Sequence, residues 1–68
     1  MIVELNGRPT EFPAGATVDD AVRKLGLGGD GRGVAVAVDG EVVRRAEWRA
    51  AVLRDSQSIE VVQAVQGG

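Results

Sequence analysis

Two dipeptides, Asn6-Gly7 and Asp39-Gly40, constrain this chain more than any other feature in it. Asn-Gly and Asp-Gly between apolar runs signal a two-residue β-hairpin, because both residues of a type I′ turn take positive φ. The first joins "MIVEL" to "RPTEF", and the second joins "VAVAV" to "EVV". In "MIVEL" the strand period puts Val3 and Leu5 on one face. Pro9 lacks an N–H and suits an edge position beside the turn. Phe12, ending the return strand, is expected in the core. In "VAVAV" the three valines, Val34, Val36 and Val38, are expected to face inward, with Ala35 and Ala37 outward.

Between the hairpins the apolar period changes. In "TVDDAVRKLGL" Val18, Ala21, Val22 and Leu25 fall at i, i+3, i+4 and i+7, one stripe of a helix. Thr17 is the expected N-cap, with Asp20 as the acidic member of a capping box. Asp19 and Asp20 suit the positive end of the helix dipole. Gly26 suits the left-handed position after the helix, with Leu27 making the accompanying apolar contact. A short helix with one apolar face must lie on a sheet.

After the second hairpin, "RRAEWRAAVL" is mixed. Trp48 and Leu53 are expected to close the open end of the core around a short helical turn. "RDSQS" reads as a turn and "IEVVQAV" as the last strand, with Ile59 and Val61 inward. Val62 breaks the alternation, so part of the outer face is apolar too. The order β-β-α-β-β-turn-β predicts an α+β fold: one mixed sheet of four to five strands with a single main helix on one face. The first and last strands are expected to pair in parallel at the centre, since the helix permits the crossover. That arrangement is the β-grasp, or ubiquitin-like, fold. The expected organisation is a single domain over residues 1–68, with 64–68 as a flexible tail.

A chain of 68 residues has a marginal core. With no Cys and no His, a disulfide, a zinc-finger-type site and a thiol or imidazole nucleophile are all excluded. Stability must come from apolar packing. The charges are scattered, with a net of −2, and Phe12 and Trp48 are the only aromatic residues, which disfavours nucleic-acid binding. No apolar run approaches a membrane span, and "MIVELNG" lacks the regions of a signal peptide. A cytoplasmic protein is expected.

Gly26, Gly28 and Gly31 spell G-x-G-x-x-G. They follow a helix and precede a strand, the reverse of a dinucleotide loop, so they read as a connection. Asp19 and Asp20 read as capping residues, and Asp30 lacks the alternating oxygen ligands of a calcium loop. No metal site is expected. Arg44, Arg45, Arg49 and Arg54 read as a solvated surface, with an interface role open beside it. Trp48 reads as core. Ala35, Ala37 and Val62, with Ile2, are assigned to the uncovered sheet face, and Ala35, Ala37, Val62 and Val65 are the candidate partner-docking residues. Such a patch is either residual exposure or a docking site for a partner.

The chain closes on "AVQGG". Gly67 and Gly68 either fray, the default at termini, or form the reactive group. Four or five extended residues reach about 15 Å beyond a sheet, and glycines let the backbone thread a narrow channel. The terminal carboxylate would then be a substrate, with the catalytic groups on partner enzymes rather than on this chain.

Taken together, "MIVELNGRPTEFPAGATV", "VDDAVRKLGL", "GVAVAVDGEVV", "RAEW" and "IEVVQAVQGG" resemble the ThiS family of sulfur carrier proteins of thiamine (thiazole) biosynthesis. The resemblance covers nearly the whole chain, and "VVQAVQGG" is its most specific part. It implies a ThiF-type adenylyltransferase that uses ATP to adenylate Gly68. A sulfur donor such as a cysteine desulfurase then supplies the sulfur of a thiocarboxylate, and a ThiG-type thiazole synthase takes that sulfur up. The chain itself is implied to bind no cofactor and to be no enzyme. Only Gly67 and Gly68 carry over as tail-motif residues, Gly68 being the modified one, and the outer sheet face is where such carriers generally dock. Arg44 stands where the family often has proline, and "RDSQS" replaces the more usual Asp-Gly-Asp turn. Two alternatives are a sulfur carrier of molybdopterin synthase, which shares the Gly-Gly end, and a non-covalent ubiquitin-like interaction module.

Overall fold

The computed structural model describes residues 1–27 and 32–64. Within them lie β1 (Ile2–Leu5), β2 (Arg8–Glu11), α1 (Val18–Lys24), β3 (Val34–Val38), β4 (Glu41–Val43), a 3-10 turn at Arg45–Glu47 and β5 (Ser58–Gln63). Both two-residue turns form as their sequences require. Asn6 and Gly7 have φ of 50° and 81°, and Asp39 and Gly40 have 48° and 84°. The sheet order is β2-β1-β5-β3-β4. β1 and β5 pair in parallel, with Glu4 opposite Ser58 and Leu5 opposite Ile59, while β3 pairs antiparallel to β5 from Val34–Gln63 to Val38–Ile59. This is the β-grasp arrangement, and β5 is its middle strand. Pro9 sits on the edge strand β2, opposite Glu4, where its missing N–H costs no inner ladder bond.

The helix forms because its first orphan amides all find acceptors. Thr17 and Asp20 make a reciprocal capping box: Asp20 N–H donates to Thr17 Oγ1 at 3.4 Å, and Thr17 N–H donates to Asp20 Oδ2 at 2.8 Å. The amides of Val18 and Asp19 donate to the carbonyls of Ala51 and Trp48, at 2.9 and 3.0 Å. At the other end Gly26 N–H donates to Arg23 O and Leu27 N–H to Val22 O, the hydrogen-bond pair of a Schellman ending. The buried face is Val18, Ala21 and Val22, and each fully buried valine contributes about 1.5–3 kcal/mol. Leu25, expected on that stripe, is instead 39% exposed, because it is the C-cap and the chain there is already leaving the helix.

Val3, Leu5, Phe12, Val36, Trp48, Leu53, Ile59 and Val61 complete the core with the helix face. The segment carrying Trp48 and Leu53 is stitched across the helix N-terminus, with Leu53 N–H donating to Ala16 O at 2.8 Å. Trp48 and Leu53 therefore plug the core as expected. The last strand starts one residue earlier than the sequence suggests and is assigned through Gln63. The glycine motif falls largely outside the described residues, as does Asp30. No helix among the described residues is long and apolar enough to cross a membrane.

Candidate functional site

β5 is the element that leads to the tail, and the structure holds it from both sides. At its start, Ser58 N–H donates to the Asp39 carboxylate at 2.9 Å, and Asp39 N–H donates back to Ser58 O at 2.8 Å. Near its end, Val61 N–H donates to Asn6 Oδ1 at 2.8 Å, and Asn6 Nδ2 donates to Val61 O at 3.2 Å. The first residue of each hairpin turn thus also fastens the middle strand. Asn6 and Asp39 were legible in the sequence as turn formers, but their grip on β5 was not. It depends on the pairing of β5 with β1 in parallel and with β3 antiparallel, which brings the two turns to different levels of β5.

Past Gln63 the strand keeps one more link. Ala64 N–H donates to Gly33 O at 2.6 Å. The sequence places Ala64 in the tail, and here it is tied to the chain entering β3. Gly67 and Gly68, the tail-motif residues, and Val65 lie outside the described residues.

Residues opposite one another in a ladder share a face. Ala35 opposes Val62, Ala37 opposes both Glu60 and Val42, and all project away from the helix. Val62 is 60% exposed and Val42 is 78% exposed. Ala35 is exposed and Ala37 partly so. The structure therefore brings together three of the four described residues assigned to the outer face, Ala35, Ala37 and Val62, and adds Val42, which the sequence reading missed. The available signal was its place in "EVV", between two residues that close the hairpin. Ile2 is on the same face but does not join the patch. It lies one pleat before the Glu4–Ser58 level and Val62 two pleats beyond it, a separation of about 20 Å along the parallel strands.

The chemistry of the remaining surface is plain. Asp19 pairs with Arg23 at 3.1 Å, and Asp20 serves the capping box. Among the described residues no three acidic groups converge as metal ligands. Arg44, Arg45, Arg49 and Arg54 are all exposed. A groove beside β4 is lined by Asp39, Glu41, Val42 and Glu47, but Asp39 is engaged with Ser58 and no nucleophile stands there. What the fold offers is a fixed strand leading toward two glycines, beside an apolar patch on β3, β4 and β5.

The sequence model described as the ThiS family matches residues 3–68. A thiazole synthase from Magnetococcus marinus is 38% identical over 68 residues, covering 100% of this chain and 20% of that protein. The chain thus spans about a fifth of the length of the curated relative it matches. Among solved structures, a crystal structure of a thiamine biosynthesis protein (ThiS) from Geobacter metallireducens superposes with a TM-score of 0.78 at 24% identity, over 100% of both chains. A solution structure of a thiamine biosynthesis protein from the same organism gives 0.79 at 24% identity, over 100% of this chain and 88% of that one. These two likenesses establish the fold.

Proposed function

The chain belongs to the ThiS family, and on that premise we propose that it is a sulfur carrier for thiazole formation in thiamine biosynthesis. The observation that carries the reading is the extent of the family match, which runs through both tail glycines, Gly67 and Gly68. The carboxylate of Gly68 is the reacting group. A carboxylate oxygen attacks the α-phosphorus of ATP and pyrophosphate leaves. A sulfur nucleophile then adds to the acyl carbon and AMP leaves with one carboxylate oxygen; a sulfide gives the thiocarboxylate directly, and a donor persulfide gives an acyl disulfide whose S–S bond a thiol then cleaves. Adenylation is needed because a carboxylate has no leaving group of its own. With no Cys and no His on the chain, the acid–base and nucleophilic groups belong to partners: a ThiF-type adenylyltransferase, which supplies the ATP site, and a sulfur donor such as a cysteine desulfurase. A ThiG-type thiazole synthase is the acceptor. The chain is substrate rather than enzyme, holds no cofactor, and works beside its partners in the cytoplasm.

The similarity to a thiazole synthase favours this branch over a molybdopterin synthase carrier. The patch of Ala35, Ala37, Val42 and Val62 is the proposed docking face, and Val65 is proposed as a further partner contact. Intact mass decides the central step. Incubation with the adenylyltransferase, ATP and a sulfur source should add about 16 Da, the replacement of O by S. An unchanged mass beside an enzyme shown to be active on another carrier would leave the non-covalent interaction module standing instead.

A further inference from the structure

β1 ends where its partner does not. The chain turns away at Asn6-Gly7, while β5 continues to Gln63. Asn6 N–H still donates to Ile59 O, at 2.8 Å. In a parallel ladder the next peptides of β1 would then serve Val61, whose N–H and C=O face the same side. Those peptides are absent from the sheet, and the Asn6 side-chain amide stands in their place. Its Oδ1 accepts from Val61 N–H and its Nδ2 donates to Val61 O. An amide side chain is the group that offers both a donor and an acceptor in this geometry. The turn alone does not ask for this, since glycine also adopts the φ of 50° seen at Asn6.

On the other edge of β5 the final link is Ala64 N–H to Gly33 O. Asn6 and Gly33 therefore flank the last described residues before the tail. Without the Asn6 amide, β5 would be held at that level on the β3 side alone, and the strand end at Gln63 and Ala64 would be less firmly fixed.

We infer that Asn6 is a positioning residue for the chemistry at Gly68: by completing the β5 ladder at Val61, its side chain holds the end of the strand from which the chain continues to Gly68. This rests on the proposed carrier role. A partner that threads the tail toward a nucleotide then docks against a fixed strand end, so less ordering remains to be done on docking.

The test compares two variants that each remove one clamp and keep the turn. Asn6→Gly keeps positive φ and deletes both bonds to Val61. Asp39→Gly keeps positive φ and the main-chain bond to Ser58 O, and deletes the side-chain bond from Ser58 N–H, at the end of β5 remote from the tail. Adenylation of each is followed with the cognate adenylyltransferase and ATP, below the thermal transition of both. Asn6→Gly should raise KM for the carrier by about three- to tenfold, on the scale of one net hydrogen bond, with kcat within about twofold. Asp39→Gly should leave KM within about twofold. Amide exchange at Val61 should accelerate in Asn6→Gly and not in Asp39→Gly. Asn6→Asp, which keeps the acceptor and loses the donor, should fall between wild type and Asn6→Gly and serves if the glycine variant does not fold. An unchanged KM in Asn6→Gly overturns the inference, and so does an equal rise in Asp39→Gly, which would reflect general loosening. A wild-type protein that is never adenylated overturns the carrier reading itself and this inference with it, a result distinct from a reactive wild type matched by its variant.

Discussion

The indole Nε1–H of Trp48 donates to the main-chain carbonyl of Val43 at 3.0 Å, while the ring itself is buried. One side chain thereby closes the core and fastens the end of β4. Trp48→Phe keeps an aromatic ring but leaves that carbonyl without its donor. The expected cost is about 1–3 kcal/mol. For a domain of this size that is a fall in Tm of about 4–8 °C per kcal/mol, to be read by thermal unfolding. A Tm within 2 °C of wild type, taking about 2 °C as less than the smallest expected shift, would show that the bond is unimportant and the ring alone matters.

Thr17 tests the helix start. Its Oγ1 accepts the Asp20 amide, but the return bond from Thr17 N–H to Asp20 Oδ2 is made by the backbone and survives substitution. Thr17→Ala should therefore cost about 0.5–2 kcal/mol in denaturant unfolding, and Thr17→Ser should recover most of it. Equal losses in the two variants would place the effect in the γ-methyl group rather than in the cap.

Arg44 tests a departure from the family pattern. Its φ is −65° and its ψ 146°, values that proline adopts without strain. Val43 before it is in a strand, the conformation a following proline favours. Arg44 N–H donates to no main-chain carbonyl among the described residues. Arg44→Pro should stabilise the protein by about 0.4–1 kcal/mol, through a less mobile unfolded chain. The folded turn already has the backbone that proline requires, and a destabilised proline variant would reverse that conclusion.

The fold was readable because its signals are local. Asn6-Gly7 and Asp39-Gly40 demand their turns, Thr17 and Asp20 demand a helix start, and Val3 and Leu5 of β1, the valines of β3 and Ile59 and Val61 of β5 keep a strand period. The site was less readable because its features are made by register. Whether Val42 joins Val62 depends on Ala37 lying between β4 and β5 in the ladder, and whether Ile2 joins them depends on the parallel offset of β1 and β5. No single segment contains that information. The Asn6–Val61 and Asp39–Ser58 bonds are of the same kind. Leu25 shows the converse limit, where a helical period continued one residue further than the helix did.

The outer patch yields the last prediction. Val62 lies on the middle strand and Val42 on the edge strand, joined through Ala35 and Ala37 of β3. Both valines are exposed, so replacing either should leave folding stability within about 0.5 kcal/mol. If the patch is the docking face, Val62→Asp puts a carboxylate where a partner must desolvate it, beside Glu60 on the same face. KM for the adenylyltransferase should rise by about 5- to 150-fold, equivalent to about 1–3 kcal/mol at an interface centre. Ile2→Asp, on the same face but at the other end of the sheet, should change KM by less than about twofold. Steady-state adenylation with the three proteins separates the possibilities. Equal effects of the Val62 and Ile2 substitutions would point to bulk charge rather than contact. No effect of Val62→Asp would move the docking face elsewhere and leave the tail as the sole point of engagement.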